Sequence, residues 1–271
     1  MCPHCRAFIT ASDKVCPYCN ESVGPRAVER RGASQEMLAG FIPQAHFTTI
    51  VILVINFGLY AATAIYGIGA GLGSAMDLDG RILVLFGSKY VPYIAEGQWW
   101  RLVTAGFLHG GLMHILMNSW ALFDLGAAVE EAYGTARLLV IYFVSSVAGF
   151  YASAVWSRSN SVGASAALCG LLGAMIALGL RDRSALADAM RGMYVRWLVF
   201  IMVISFVVPN VDMAAHVGGL AAGFGLAYLS GQPRRPDAIT EKLWRVAAVF
   251  CFILTAASFF LWFLWFRQVS A

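Results

Sequence analysis

Polar residues along this chain come in blocks between long apolar runs, and the runs predict its elements. A helix needs about 20 mostly apolar residues to cross the hydrocarbon core of a bilayer. Seven stretches meet or approach that length: roughly 47–69, 112–128, 137–156, 165–181, 194–209, 213–230 and 244–266. The second and sixth are short and rich in small residues, which suits helices enclosed by other helices. Residues 70–111 form a long loop containing "EGQWWRLVTAGFLHGG", where Trp99, Trp100 and Arg101 read as anchors at a lipid–water boundary.

Composition agrees with the pattern. Of 271 residues, 59% are hydrophobic and 13% charged. A soluble domain carries about 25% charged residues, so the chain reads as an all-α polytopic membrane protein. The first twenty residues are polar and cysteine-rich, without the apolar core of a secretory signal.

The connectors predict orientation. Arg26, Arg30 and Arg31 precede the first span; Arg181, Arg183, Arg191 and Arg196 follow the fourth; Arg234, Arg235, Lys242 and Arg245 follow the sixth. With seven spans these clusters share one side, and the other side keeps Arg81, Lys89, Arg101, Arg158 and Arg267. Positive charge collects on the cytoplasmic side. The N-terminus is therefore expected inside and the C-terminus outside.

"CPHC" and "CPYC", ten residues apart, place Cys2, Cys5, Cys16 and Cys19 as two knuckles. Four thiolates close a tetrahedral zinc site. A disulfide pair is disfavoured on a reducing side, and a redox site needs only one CxxC. The expectation is a structural zinc ion in a ribbon-like domain at 1–24, joined by a linker at 25–45. A cytoplasmic partner is expected for the ribbon, and no nucleic acid. Cys169 and Cys251 lie alone in apolar runs and read as packing.

Ionisable residues inside spans are costly and functional by default. Apart from span ends they are few: His114, Asp124 and His216, with the amide of Asn118 beside His114 and with His109 at the outer mouth of the second span. His114 and Asn118 are spaced i, i+4 and share a helix face. Ser165 lies in "SVGASAALCG", a run whose small residues equally suit close helix packing. Ser165 and His216 open the fourth and sixth spans, so both sit near the outer end of the bundle. The sixth span repeats a small residue every fourth position, at Ala215, Gly219, Gly223 and Ala227. Such a stripe lets a neighbouring backbone approach closely and would bring the imidazole to the hydroxyl. A serine hydroxyl is a weak nucleophile until a base takes its proton, and the oxyanion it forms needs fixed donors.

Trp100–Arg101, His109 with His114 and Asn118, Gly163–Ser165, and Ala215–Gly219 together resemble the motifs of the rhomboid family of intramembrane serine proteases, over roughly residues 46–231. The resemblance implies a six-helix core at 46–231, with an additional transmembrane helix in 232–271. It implies Ser165 as nucleophile, His216 as base, and His114, Asn118 and the Ser165 backbone N–H as the oxyanion hole. It also implies transmembrane protein substrates, contact with membrane lipids, a membrane-embedded outer loop at Trp100–Arg101, and a gate at "FVVPNVDM". A bacterial inner membrane is the expected location. Two positions depart from the family: Ala166 stands where glycine is usual, and Cys169 where an aromatic ring usually stacks on the histidine. Asp212, four residues before His216, is a candidate third member that orients the imidazole, although the family works as a dyad. Two rival functions are a catalytically weak or inactive rhomboid-like protein that binds membrane clients, and a transporter. The transporter predicts charges along a mid-membrane path, and few exist.

Overall fold

The computed structural model describes Cys5 and residues 15–20, 46–181, 185–208, 211–230 and 238–270. The chain divides into two units, Met1–Gln44 and Ala45–Ala271. In the first, the thiol sulfurs of Cys5, Cys16 and Cys19 lie within 4.8 Å of one another. Cys2 and the expected linker at 25–45 lie outside the described residues.

The second unit is helical. Its long helices are α1 (Phe47–Gly69), then α5 (Leu112–Tyr133), α6 (Thr135–Trp156), α7 (Ser165–Arg181), α8 (Ala185–Val207), α9 (Met213–Ser230) and α10 (Ala238–Val269). The loop after α1 carries α2 (Gly80–Leu85), α3 (Val91–Ala95), α4 (Arg101–Thr104) and a 3₁₀ turn (Ala105–Phe107). Among the described residues there is no strand, only isolated bridges at Gly73–Leu78 and Lys89–Ser161. Among the described residues, six helices are long and apolar enough to cross a membrane; α7, at 17 residues, is shorter.

Each of the seven expected segments is a helix, and three of them depart from the expected bounds by more than two residues. The second runs on to Tyr133 because Glu130 is satisfied there: it accepts from the Thr49 hydroxyl at 3.1 Å and the Thr135 hydroxyl at 3.0 Å. Gly134, at φ +82°, then breaks the chain between α5 and α6. The fifth begins at Ala185, its charged N-terminal end held by Arg191, which pairs with Asp188 at 3.0 Å and donates to the Gly179 carbonyl. The seventh gains turns at both ends, from Ala238 to Val269.

Small residues decide the packing. Helix α7 is buried along most of its length, between α9, α6, α5 and α8. The predicted stripe Ala215, Gly219, Gly223, Ala227 is buried as a set. A side-chain carbon at Gly219 would overlap the Ala166 carbonyl, and one at Gly223 would overlap that of Gly170. The two backbones therefore touch, which maximises dispersion contact where lipid supplies no hydrophobic drive. Outward positions such as Trp156, Phe206, Leu229 and Phe252 are apolar and exposed, as suits a lipid-facing surface.

Candidate active site

The close α7–α9 crossing brings two residues 51 positions apart into contact: Ser165 Oγ lies 2.8 Å from His216 Nε2. Ser165 is the first residue of α7, where backbone N–H groups have no partner within the helix. His216 is buried on the first turn of α9.

Asp212 does not orient the imidazole. One carboxylate oxygen accepts the Ala215 backbone N–H at 3.0 Å, and the other accepts the Ser153 hydroxyl of α6. It acts as the N-cap of α9, and its oxygens are spent there. The Nδ1 of His216 instead lies 2.8 Å from Ser205 Oγ on α8. Ser205 was absent from the sequence-derived site. The available signal was its isolation: after Arg196 it is the one polar residue before Pro209.

His114 and Asn118 reach the site from α5. The Gly110 backbone N–H donates to His114 Nδ1 at 3.3 Å. In a neutral ring that leaves the proton on Nε2, making it a donor. A side-chain carbon at Gly163 would lie 2.8 Å from His114 Nε2 and 3.5 Å from Asn118 Nδ2. Both nitrogens thus converge over Gly163, two residues before Ser165. Gly163 has φ +132°, which L side chains rarely adopt. Asn118 Nδ2 is buried without a hydrogen-bond partner, an orphan donor aimed at that point. The His109 ring packs edge-on against His114, centroids 5.2 Å apart. Asp124 is exposed and takes no part.

Ala166 does not crowd the site. Its methyl group faces Gly149 of α6, where an added side-chain carbon would come within 2.8 Å of it. Gly149, lacking a side chain, leaves the room that the Ala166 methyl group takes. Cys169 is buried one turn beyond Ser165.

The loop 70–111 is tied to the segment before Ser165. Lys89 and Ser161 exchange backbone hydrogen bonds of 3.0 and 3.1 Å. The buried Lys89 ammonium donates to the carbonyls of Ser157 at 3.0 Å and Ser159 at 2.7 Å. Burial pushes the Lys89 ammonium below the usual lysine range, opposed by the charge of Asp212. Arg101 is also an internal brace: it is buried and donates to the carbonyls of Val84 at 2.8 Å and Ser88 at 3.2 Å. This corrects its reading as an interfacial anchor; only Trp99 of that trio is exposed. Its guanidinium lies over Tyr93, Trp100 and Trp265, 4.6–4.9 Å from the ring centroids.

In the N-terminal unit, Cys5 Sγ and Cys16 Sγ are 3.6 Å apart. A tetrahedral four-thiolate zinc centre, with Zn–S near 2.3 Å, holds its sulfurs about 3.8 Å apart. The spacing of Cys5, Cys16 and Cys19 is compatible with a metal site.

Comparison with known proteins bears on the same region. A family model described as the Rhomboid domain matches residues 96–233. Rhomboid protease GluP of Bacillus subtilis (strain 168) is 39% identical over 152 residues, 56% of this chain and 30% of its own length. YdcA of the same organism, whose name also contains the words rhomboid protease, is 32% identical over 201 residues, 72% of this chain and 98% of its own. Rhomboid-like protease 3 of Toxoplasma gondii is 31% identical over 170 residues, 61% of this chain and 65% of its own. The match to GluP therefore spans under a third of that protein.

Proposed function

This chain belongs to the rhomboid family, and from that membership we propose that it is an intramembrane serine endopeptidase cleaving other membrane proteins in or near their transmembrane segments. Ser165 is the nucleophile and His216 the general base. The observation that carries this reading is the 2.8 Å separation of Ser165 Oγ and His216 Nε2, within the range for proton transfer.

The reaction follows from those atoms. His216 Nε2 takes the Ser165 hydroxyl proton as Oγ bonds to the scissile carbonyl carbon. Negative charge moves to the carbonyl oxygen, within reach of His114 Nε2–H, Asn118 Nδ2–H and the Ser165 backbone N–H. Collapse of the intermediate breaks the C–N bond, and His216 returns its proton to the leaving amine. Water, deprotonated by His216, then attacks the acyl-enzyme and regenerates Ser165. A substrate helix has to unwind locally, because its carbonyls are hydrogen-bonded within the helix. Segments with helix-breaking residues near the outer side are preferred, and they arrive past the loop joining α8 to α9.

The N-terminus is cytoplasmic and the C-terminus outside, which places the dyad towards the outer face. The ribbon at 1–24 holds zinc through Cys2, Cys5, Cys16 and Cys19. Zinc there has a structural role only, and the core at 46–231 works without it.

The test is labelling of detergent-solubilised protein by a fluorophosphonate probe, with co-expression beside tagged single-span membrane proteins. Labelling at Ser165, with cleavage lost in Ser165→Ala, is expected. A wild type that is neither labelled nor active across the panel leaves the client-binding role.

A further inference from the structure

We propose that Ser205 is a positioning residue: its oxygen accepts a hydrogen bond from His216 Nδ1–H and holds the imidazole in the tautomer whose Nε2 faces Ser165 as a base. This rests on the reading of Ser165 and His216 as nucleophile and base.

A neutral imidazole carries one N–H, on either nitrogen. To take the Ser165 proton, Nε2 must present its lone pair, so Nδ1 must carry the hydrogen. His216 is buried, and a buried N–H without an acceptor forfeits a hydrogen bond. The ring therefore turns over or changes tautomer unless an acceptor faces Nδ1.

Ser205 is that acceptor, and its own bonding sets the direction. Its Oγ lies 2.7 Å from the Ile201 carbonyl oxygen and 2.8 Å from His216 Nδ1. A carbonyl only accepts. The single hydroxyl proton goes to Ile201, one turn earlier on α8, in the back-bond common for serine in helices. Towards His216 only lone pairs remain, so Nδ1 donates and Nε2 is left free for Ser165.

Among the described residues, no other side chain faces His216 Nδ1 at hydrogen-bond distance. Both oxygens of Asp212 serve the N-terminus of α9. Residue 169 is cysteine, so no ring from that position can stack on the imidazole. A neutral hydroxyl also stabilises the imidazolium less than a carboxylate does. The expected effect is therefore about tenfold, the worth of one neutral hydrogen bond, well below the roughly 10⁴-fold loss when a triad aspartate is replaced by asparagine.

The decisive measurement reads the imidazole directly. Protein labelled with ¹⁵N-histidine is examined by NMR in detergent micelles at mildly alkaline pH, with the His216 signals assigned by their loss in His216→Gln. Wild type is expected to show protonated Nδ1 and unprotonated Nε2, Ser205→Ala a shift towards the mixed tautomers, and Ser205→Thr the wild-type pattern. In parallel, the rate of fluorophosphonate labelling should fall about tenfold in Ser205→Ala and recover in Ser205→Thr. A wild-type His216 protonated on Nε2, or a tautomer balance unchanged by Ser205→Ala, overturns the proposal. A wild type that the probe never labels defeats the nucleophile assignment, while the spectrum still judges Ser205 without any catalysis.

Discussion

On the proposed mechanism Ser165 and His216 act as one proton-transfer unit, so their losses should not add. Ser165→Ala and His216→Ala are each expected to abolish cleavage, and the double variant to be no worse than either. Cleavage persisting in Ser165→Ala refutes the serine mechanism. His114→Ala and Asn118→Ala each remove one donor while the Ser165 N–H remains, with an expected cost of about 10²–10³ in rate. Gly163→Ala is the sharper probe. Its methyl group would lie 2.8 Å from His114 Nε2 at a φ unsuited to alanine, occupying the place where the donors converge. Turnover should drop at least as far as in His114→Ala. Near-wild-type turnover in that variant would place the oxyanion elsewhere.

The additional helix α10 bears on the same chemistry from outside the core. Its C-terminal end meets the loop that braces the site: Trp262 Nε1 donates to the Leu85 carbonyl at 3.0 Å, and Trp265 covers Arg101 at 4.6 Å. Phe86 packs against Trp262 and Phe266, with centroids 5.7 and 5.6 Å apart. Its N-terminal end is pinned by the Arg137–Glu241 ion pair at 2.7 Å. A desolvated cation–π contact contributes about 2 kcal/mol. Trp265→Ala should therefore lower stability in detergent by about that amount and speed hydrogen exchange over residues 84–101. Unchanged exchange there would make α10 a passive addition. Lys89 makes the second tie, from the same loop to residues 157–161 ahead of Ser165.

At the level of the whole chain, the membrane unit and the cysteine unit should be separable. Purified, reduced protein is expected to carry about one zinc per chain, absent from Cys16→Ser/Cys19→Ser. The fluorophosphonate reaction of the core should survive that change. Elemental analysis finding no metal in fresh wild type would sink the zinc assignment. Orientation is open to a reporter that is active only in the cytoplasm: fused after Ala271, it should stay silent. Activity there would mean that α10 does not cross, or that the bundle is inverted.

The seven helical segments were legible without coordinates because the cost of burying polar backbone and charge in lipid is local: it depends on run length and composition, which a string of residues carries whole. The charge asymmetry of the connectors and the two CxxC knuckles are legible for the same reason. The Ser165–His216 pairing was half legible. The stripe from Ala215 to Ala227 announced a close crossing, and the shared depth of Ser165 and His216 at the openings of their spans named its partner, while the roles of the two residues followed from the family resemblance. What stayed hidden depends on which side chains meet. Asp212 has a spacing that suits a triad, yet its carboxylate is drawn to the nearest unsatisfied donors, the backbone of α9 and Ser153. Ser205 lies 11 residues before His216 across a chain reversal; its isolation in an apolar run marks it, but nothing in the sequence says which side chain it meets. Ala166 looked crowded until Gly149, on another helix, proved to face it. Arg101 looked like a surface anchor until the carbonyls of Val84 and Ser88 and a tryptophan 164 positions later closed around it. Hydrogen-bond partners and steric room are properties of neighbours in space, and the chain decides those neighbours only when its helices pack.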